Sequence, residues 1–375
     1  MILRYLAIPT VIGLTFLILW LMWPSPIDPV RWDEPAAPAL SGPTAPDDDL
    51  GSATLYPAGE PGAARGVAIS TDGMVYFGTP DGDIMRLRAG ITGDSIHPEF
   101  LAHIVDAPLF GLAWIDESTL AIAATGSIHS LNLITLEVRT LSTGSTSRPF
   151  GNLTNLAVGA DGTIYFTDSS TRWNHDSPRP GYFYDMLENR PNGLVYAWNP
   201  QSREAVAIRD RLYYPNGIAL ASDGQSLLVS ESFRYIIQRI WIAGPRRGQI
   251  EVFAKNLPGI PAGIAVDGKG NVIVAMATRR SRLLATAHRN PGLTQILIKL
   301  PQWLRPNDSR PRGFILRLNE ADGQIRDAFH DPDSALNYLS SVTVGPGGVL
   351  WLGSAFGGVV GRFDPAELTD LPTPP

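Results

Sequence analysis

NLAVGADGTIYFTD, residues 155–168, is the stretch from which the fold is read. Apolar residues alternate with small or polar ones up to Asp161-Gly162, and a run of larger apolar residues follows. Alternation marks a strand with one buried face, and Asp-Gly tolerates the positive φ angles of a tight turn, so the stretch predicts a β-hairpin. Five further stretches repeat the phrase: GVAISTDGMVYFGT from Gly66, GLAWIDESTLAIAAT from Gly111, GIALASDGQSLLVSE from Gly217, GIAVDGKGNVIVAM from Gly263 and SVTVGPGGVLWLGS from Ser341. Each of the six is followed by another short apolar strand (GDIMRL, SIHSLNL, GLVYAW, YIIQRIWI, GFILRL, GVVGRF), so the repeating unit is a small antiparallel sheet. The copies begin at 66, 111, 155, 217, 263 and 341, a basic period of about 45 residues. One such sheet cannot cover both of its faces, so six pack radially about an axis: an all-β, six-bladed β-propeller. A strand near residues 53–57 is available to complete the last blade.

The two long intervals carry insertions, 171–192 and 279–312, and loops of that length usually act as lids or binding elements. The second contains apolar stretches broken by Pro291 and Pro301, and Arg279, Arg280, Arg282, Arg289, Lys299, Arg305, Arg310 and Arg312 lie among them. It suits a short helical cap, either packed on the propeller or resting on an anionic membrane surface. The propeller is expected over residues 55–367, with a tail at 368–375. Before it, residues 24–54 hold seven prolines and the acidic run Asp47, Asp48, Asp49, the composition of an extended linker. Residues 5–23 are nineteen consecutive uncharged positions, long enough at about 1.5 Å per residue to span a bilayer core. Arg4 precedes them, and Asp28, Asp33 and Glu34 outweigh Arg31 after them, so a single-pass transmembrane helix at 1–23 leaves the propeller on the non-cytoplasmic side. Trp20 and Trp23 stand where an aromatic belt belongs, and Pro24 ends the helix. A cleaved signal peptide is the competing reading, but the run is longer than its apolar core and small-residue sites near Ala36 and Ala37 lie well past it.

A net charge of -6 argues against a nucleic-acid partner, which would call for a basic face. With no cysteine, disulfides, thiol nucleophiles and thiolate metal sites are excluded. Neither a Gly-x-Ser-x-Gly elbow nor a His-Glu-x-x-His zinc pattern accompanies the polar residues considered below.

The phrases IYFTDSSTRW (164–173), ENRPNGLVYAW (188–198), YYPNGIALASDGQSLLVSES (213–232), NLPGIPAGIAV (256–266), TRR (278–280) and RGFILRL with HDPDS (312–334) resemble the strictosidine synthase-like family, a neighbour of the gluconolactonases and paraoxonases. The resemblance implies a six-bladed propeller, and the N-terminal run resembles the anchor of the family's membrane-associated members. In metal-dependent relatives it implies a Ca²⁺ ion in the central tunnel, held by a first-blade Glu, a third-blade Asn, the Asn of a fourth-blade Pro-Asn-Gly and a fifth-blade Asp. Here Asn216 in Pro215-Asn216-Gly217 keeps its place and Asn155 follows Thr154, whereas Arg65 and Ala262 stand at the other two positions. A fixed cation beside the axis opposes a bound metal. The glutamate base of the alkaloid-condensing member has no counterpart near residues 341–344, so strictosidine synthesis itself is not expected.

The remaining candidates are few. Arg65, Asn155 and Asn216 are candidate ligand-binding residues, with Asn216 and Asn155 the candidate metal ligands. Arg65 would grip a carboxylate or phosphate through its planar fork, or pair with Glu231 or Asp168. His175, Glu231 and Asp168 are the candidate catalytic side chains. His175 has the residue type for acid–base work near neutrality or is a surface-loop histidine. Asp168 is equally a strand-end residue bonding its own turn, and Asn216 equally a turn residue beside Gly217. The expected function is hydrolysis of small esters or lactones in the tunnel. The alternative is a non-catalytic propeller that binds a small anion, lipid or protein.

Overall fold

Each of the six phrases forms the first two strands of a four-stranded antiparallel sheet. The computed structural model describes residues 13, 15, 19, 20 and 22–366, except 60–63, 89–96, 175–180, 301–311 and 332–335. The innermost strands are Val67–Ile69, Leu109–Trp114, Leu153–Val158, Pro215–Leu220, Gly259–Val266 and Leu339–Val344. The second strands are Met74–Gly78, Thr119–Ala124, Ile164–Asp168, Ser226–Glu231, Asn271–Arg279 and Leu350–Ser354. At the Asp161-Gly162 turn Gly162 adopts φ +79°, the left-handed conformation that Asp-Gly was expected to supply. The last sheet takes its fourth strand from far up the chain: Thr54–Pro57 pairs antiparallel with Val359–Phe363, from Thr54 opposite Arg362 to Pro57 opposite Val359. The closing strand anticipated near residues 53–57 is therefore present, and it covers what would otherwise be an open sheet edge.

The core lies between neighbouring sheets. Side chains of the sixth and first blades (Tyr56, Val67, Phe77, Trp351, Val360) form one buried cluster, and those of the second and third (Ile128, Leu153, Phe166, Tyr196) form another. Each fully buried side chain of this size contributes about 1.5–3 kcal/mol of transfer free energy. Near the axis the inner strands meet backbone to backbone. A Cβ added to Gly217 would lie 2.1 Å from the Ala262 carbonyl oxygen, and one on Gly263 would lie 2.6 Å from Ser341 Cα. Glycine at these two places permits the close approach.

The chain divides into two compact units, residues 35–186, 191–280 and 309–375 forming the propeller and residues 1–34, 187–190 and 281–308 the other. In the smaller unit the second insertion forms two short helices, α2 (Arg282–Arg289) and α3 (Pro291–Lys299), while α1 (Gly181–Glu188) belongs to the first insertion. Ser281 caps α2 by accepting the Leu284 amide at 3.2 Å, and Pro291 opens α3. Residues 27–34 lie extended along this unit. The Asp28 amide donates to Glu188 at 2.9 Å, the Trp32 amide donates to the His288 carbonyl at 3.0 Å, and His288 Nδ1 meets Glu34 Oε1 at 2.7 Å in a buried pair. In the larger unit Leu50 is buried in the core between the fifth and sixth blades. The stretch expected to be linker, 24–54, thus contributes Ile27 and Leu50 to the interior in place of an evenly solvated stalk.

The expected transmembrane segment falls largely outside the described residues. Among the described residues no helix is long and apolar enough to cross a membrane.

Candidate functional site

Five of the six inner strands change register at one equivalent place, between Leu109 and Gly111, Leu153 and Asn155, Pro215 and Ile218, Pro261 and Ile264, and Leu339 and Ser341. In the first blade Gly78 bonds to both Arg65 and Gly66, the Arg65 amide donating to its carbonyl and its own amide donating to the Gly66 carbonyl. Two residues thus oppose one in every blade. A bulge of this kind re-aims one side chain and recurs next to functional sites. It sets Arg65, Phe110, Thr154, Asn216, Ala262 and Ser340 at corresponding positions where the inner strands begin.

Arg65 is the one ionisable member of that set. Its guanidinium lies 4.9 Å from the centre of the Phe110 ring and 5.9 Å from that of Phe356. Phe356 in turn touches Tyr338, edge to face at 5.0 Å, and Tyr182 of α1 at 6.2 Å. Burial pulls the Arg65 pKa down, opposed by Tyr214 and Tyr182, which act on it electrostatically. Its Nε is buried with no hydrogen-bond partner, and among the described residues no carboxylate comes within ion-pairing distance. Arginine stays protonated in proteins, so this is a cation in an aromatic collar with unused donors. Burial drives the Tyr214 phenol well above its ordinary pKa. Its oxygen accepts from Asn152 Nδ2 at 3.3 Å.

The pairing of Arg65 with Glu231 or Asp168, held open from the sequence, is not what forms. Asp168 is fully buried and accepts the amides of Gly151 and Asn152 at 2.8 and 2.9 Å. Glu231 accepts the Tyr213 amide at 2.7 Å and a bond from Gln238 Nε2. Both carboxylates therefore fasten the segment that enters the inner strand of their own blade. Burial raises both, Asp168 to about 6. Asp168 acts on the collar through Asn152, which donates to Tyr214, and Glu231 through the amide of Tyr213 next to it; neither carboxylate itself reaches Arg65. Asp185 of α1 is likewise buried, accepting Ser170 Oγ at 2.6 Å and Asn192 Nδ2 at 3.1 Å. His175 lies outside the described residues.

Below these positions the six inner strands enclose a cavity of about 300 Å³ with Val67, Leu112, Val158, Leu220, Val266 and Val344 in its wall. Asn155 also lines it, but its Oδ1 accepts the Leu156 amide at 3.0 Å. The carbonyl of Asn216 accepts Thr167 Oγ1 at 2.6 Å. A hard cation requires six to eight oxygen ligands, carboxylates among them. The four positions considered for Ca²⁺ offer one uncommitted amide at Asn216, an engaged one at Asn155, a methyl at Ala262 and a guanidinium at Arg65. Among the described residues no three His, Asp or Glu side chains gather as a ligand set. These residues do not fit the ion.

The sequence reading did not single out the collar residues Phe110, Tyr182, Tyr214, Tyr338 and Phe356. Three of them carried a signal in their placement, since Phe110 sits immediately before Gly111, Tyr214 two residues before Asn216, and Tyr338 two before Ser340.

The strictosidine synthase family model matches residues 154–245, and the strictosidine synthase-like N-terminal model matches residues 42–87. The chain is 30% identical over 302 residues to the adipocyte plasma membrane-associated protein of Danio rerio, covering 75% of this chain and 70% of that protein. It is 28% identical to the Homo sapiens protein of the same name, covering 88% and 82%. Among solved structures it is similar to a gluconolactonase from Xanthomonas campestris, with a TM-score of 0.59 at 18% identity, covering 91% of this chain and 98% of that one. At that identity the likeness concerns the fold alone.

Proposed function

The chain belongs to the strictosidine synthase-like family, and from that premise we propose that its propeller binds small organic carboxylates at the tunnel mouth, with Arg65 as anchor. The observation that carries this is the partly buried guanidinium of Arg65, whose buried Nε has no acceptor and which has no carboxylate partner among the described residues. Burying a charge unpaired is costly, and the two aromatic faces return only about 0.5–2 kcal/mol each. An incoming carboxylate would accept from the fork, and its apolar body would rest against Phe110, Tyr338 and Phe356. Charge-assisted hydrogen bonds of this kind contribute about 1.5–3 kcal/mol each. Calorimetric titration of phenylacetate into the full chain in detergent micelles tests the reading. Binding should be saturable and be lost in Arg65→Met, whereas equal affinity in the variant would sink it.

A second reading uses the same anchor. Hydrolysis of a small ester or lactone builds negative charge on the carbonyl oxygen and ends in a carboxylate, and Arg65 is suited to both. Turnover of phenyl acetate or a γ-lactone that falls with Arg65→Met would favour it; binding without turnover leaves the carboxylate receptor.

We also place the propeller on the non-cytoplasmic side of a membrane, anchored by residues 1–23. The uncharged run, Arg4 before it and the names of the relatives support this. Full-length chain should resist alkaline extraction from membranes, and a chain starting at residue 24 should be released. Release of the full-length chain would remove the anchor from the reading.

A further inference from the structure

The second insertion leaves the propeller at Arg279 and returns at Arg312, and a second set of unused donors, on Arg279 and His330, sits at the first of these feet. Phe314 and His330 are paired across neighbouring strands, and their rings stack at 4.9 Å with 20° between planes. His330 is only 2% exposed. Arg279 donates from Nη2 to His330 Nδ1 at 3.4 Å. A guanidinium can only donate, so Nδ1 is the acceptor, and a neutral imidazole must then carry its proton on Nε2. Burial favours that neutral form by pulling the His330 pKa down. The Nε2–H is buried with no acceptor within hydrogen-bonding distance, the Thr44 backbone acting on the ring from farther off, and the Nε–H of Arg279 likewise has no acceptor. Arg312 lies two residues before Phe314, which is paired with Met276 on one side and His330 on the other, and from there it adds to the disfavouring of the charge on Arg279. Neither arginine has an ion-pair partner among the described residues.

The adjacent Arg280 shows what satisfaction looks like. It donates to the Leu257 carbonyl at 2.8 Å, to Asn256 Oδ1 at 2.7 Å and to the Pro35 carbonyl at 2.9 Å, and lies 3.9 Å over the Tyr235 ring. Asp47, the carboxylate that acts on His330, is turned to backbone, its Oδ1 accepting the amides of His330 at 2.8 Å and Asp49 at 3.3 Å. Two like charges and a neutral donor are thus held together without an anionic acceptor among the described residues. Such an arrangement is costly unless an anion completes it.

We propose that Arg279, Arg312 and His330 form a binding site for a phosphate group at the base of the second insertion, separate from the carboxylate anchor at Arg65. A phosphate oxygen has the acceptor capacity to engage both half-buried arginines and the Nε2–H of His330. The same chemistry is offered by a soluble phosphate and by a phosphomonoester lipid headgroup.

The test uses the full chain in phosphatidylcholine nanodiscs and follows modification of individual arginines by phenylglyoxal with mass spectrometry. If the ligand is soluble, inorganic phosphate slows modification of Arg279 and Arg312 while Arg65 and Arg280 keep their rates. If it is a headgroup, the same two arginines are protected only in discs doped with phosphatidic acid. Protection in neither arm overturns the proposal. As an independent check, Arg312→Gln, a half-exposed position whose replacement leaves the core intact, should weaken the protecting ligand at least about tenfold. Unchanged affinity in that variant would also overturn it. Phenylacetate protecting Arg65 without protecting Arg279 would show that the two sites stand or fall separately.

Discussion

Two sides of the propeller axis solve the same packing problem with opposite chemistry. In the third and fourth blades the second strand ends in hydroxyl–acid–hydroxyl, Thr167-Asp168-Ser169 and Ser230-Glu231-Ser232. The hydroxyls reach sideways to the next blade, Thr167 to Asn216 O and Ser169 to Pro215 O at 2.6 Å each, Ser230 to Ala262 O and Ser232 to Pro261 O at 2.7 Å each. The acids reach back to their own entering segments. In the sixth, first and second blades the corresponding triplets are Gly353-Ser354-Ala355, Gly78-Thr79-Pro80 and Ala123-Ala124-Thr125. A Cβ on Gly353 would lie 2.6 Å from the Ala64 carbonyl oxygen, so there the second strand closes by contact, and the hydroxyls that cross to the first blade come from the inner strand, Ser340 to Arg65 O at 3.0 Å and Thr343 to Val67 O at 2.5 Å. Arg65 belongs to this second side with Phe110, Tyr338 and Phe356 of its collar, while Tyr182 and Tyr214 come from the third and fourth blades. Where polar groups satisfy one another they build the frame, and where a charge is left without a partner the frame presents a site.

The largest expected effect therefore belongs to the bonded side. Asp168→Ala leaves the buried amides of Gly151 and Asn152 without an acceptor, a loss of about 3 kcal/mol, and the thermal midpoint should fall by several degrees. An unaltered midpoint would mean that Asp168 is not a frame residue. The pH profile refines this. In the folded chain Asp168 titrates near 6, above its value in the unfolded chain of about 4, so the fold holds a proton that the unfolded chain has released between these values. Its contribution is thus fully present below about pH 4 and declines as pH rises through 6, by as much as about 3 kcal/mol. Asp168→Asn, titrating nowhere in that window, should flatten this part of a stability-versus-pH curve. Identical slopes would show that the two backbone donors, and not burial, set the charge of Asp168.

The frame was legible in the sequence because repetition makes it so. Six alternating phrases with turn residues fix six hairpins, and a strand near residues 53–57 was available to complete the last blade, but its pairing with Val359–Phe363 was seen only in the structure. Asp168 and Glu231 stood out in the sequence as polar residues at strand ends, but their partners did not, because a carboxylate bonding a backbone amide leaves no mark on the residue that donates. The collar was harder still. Tyr182 and Phe356 meet at 6.2 Å although one lies in the first insertion and the other beyond the second strand of the last blade. Contacts between residues so far apart in the chain follow from ring closure and not from any local pattern. The departure of Arg65 from the family's metal position was visible, whereas its isolation from Asp168 and Glu231 required the positions of all three.

The smallest expected effect on stability, and the one that bears most on function, is at Arg65. Replacing a partly buried cation without an ion-pair partner by an apolar side chain of similar length removes a desolvation penalty and two ring contacts, which nearly cancel. Arg65→Met should therefore change the unfolding free energy by no more than about 1 kcal/mol while abolishing phenylacetate binding. Arg65→Lys keeps the charge but gives up the planar fork, so it should retain weakened binding, intermediate between the two. A destabilisation of Arg65→Met as large as that of Asp168→Ala would place Arg65 with the frame, and the contrast between the two sides of the axis would fail. Unaltered stability with lost binding would instead tie the missing partner of Arg65 to a molecule arriving from outside the chain.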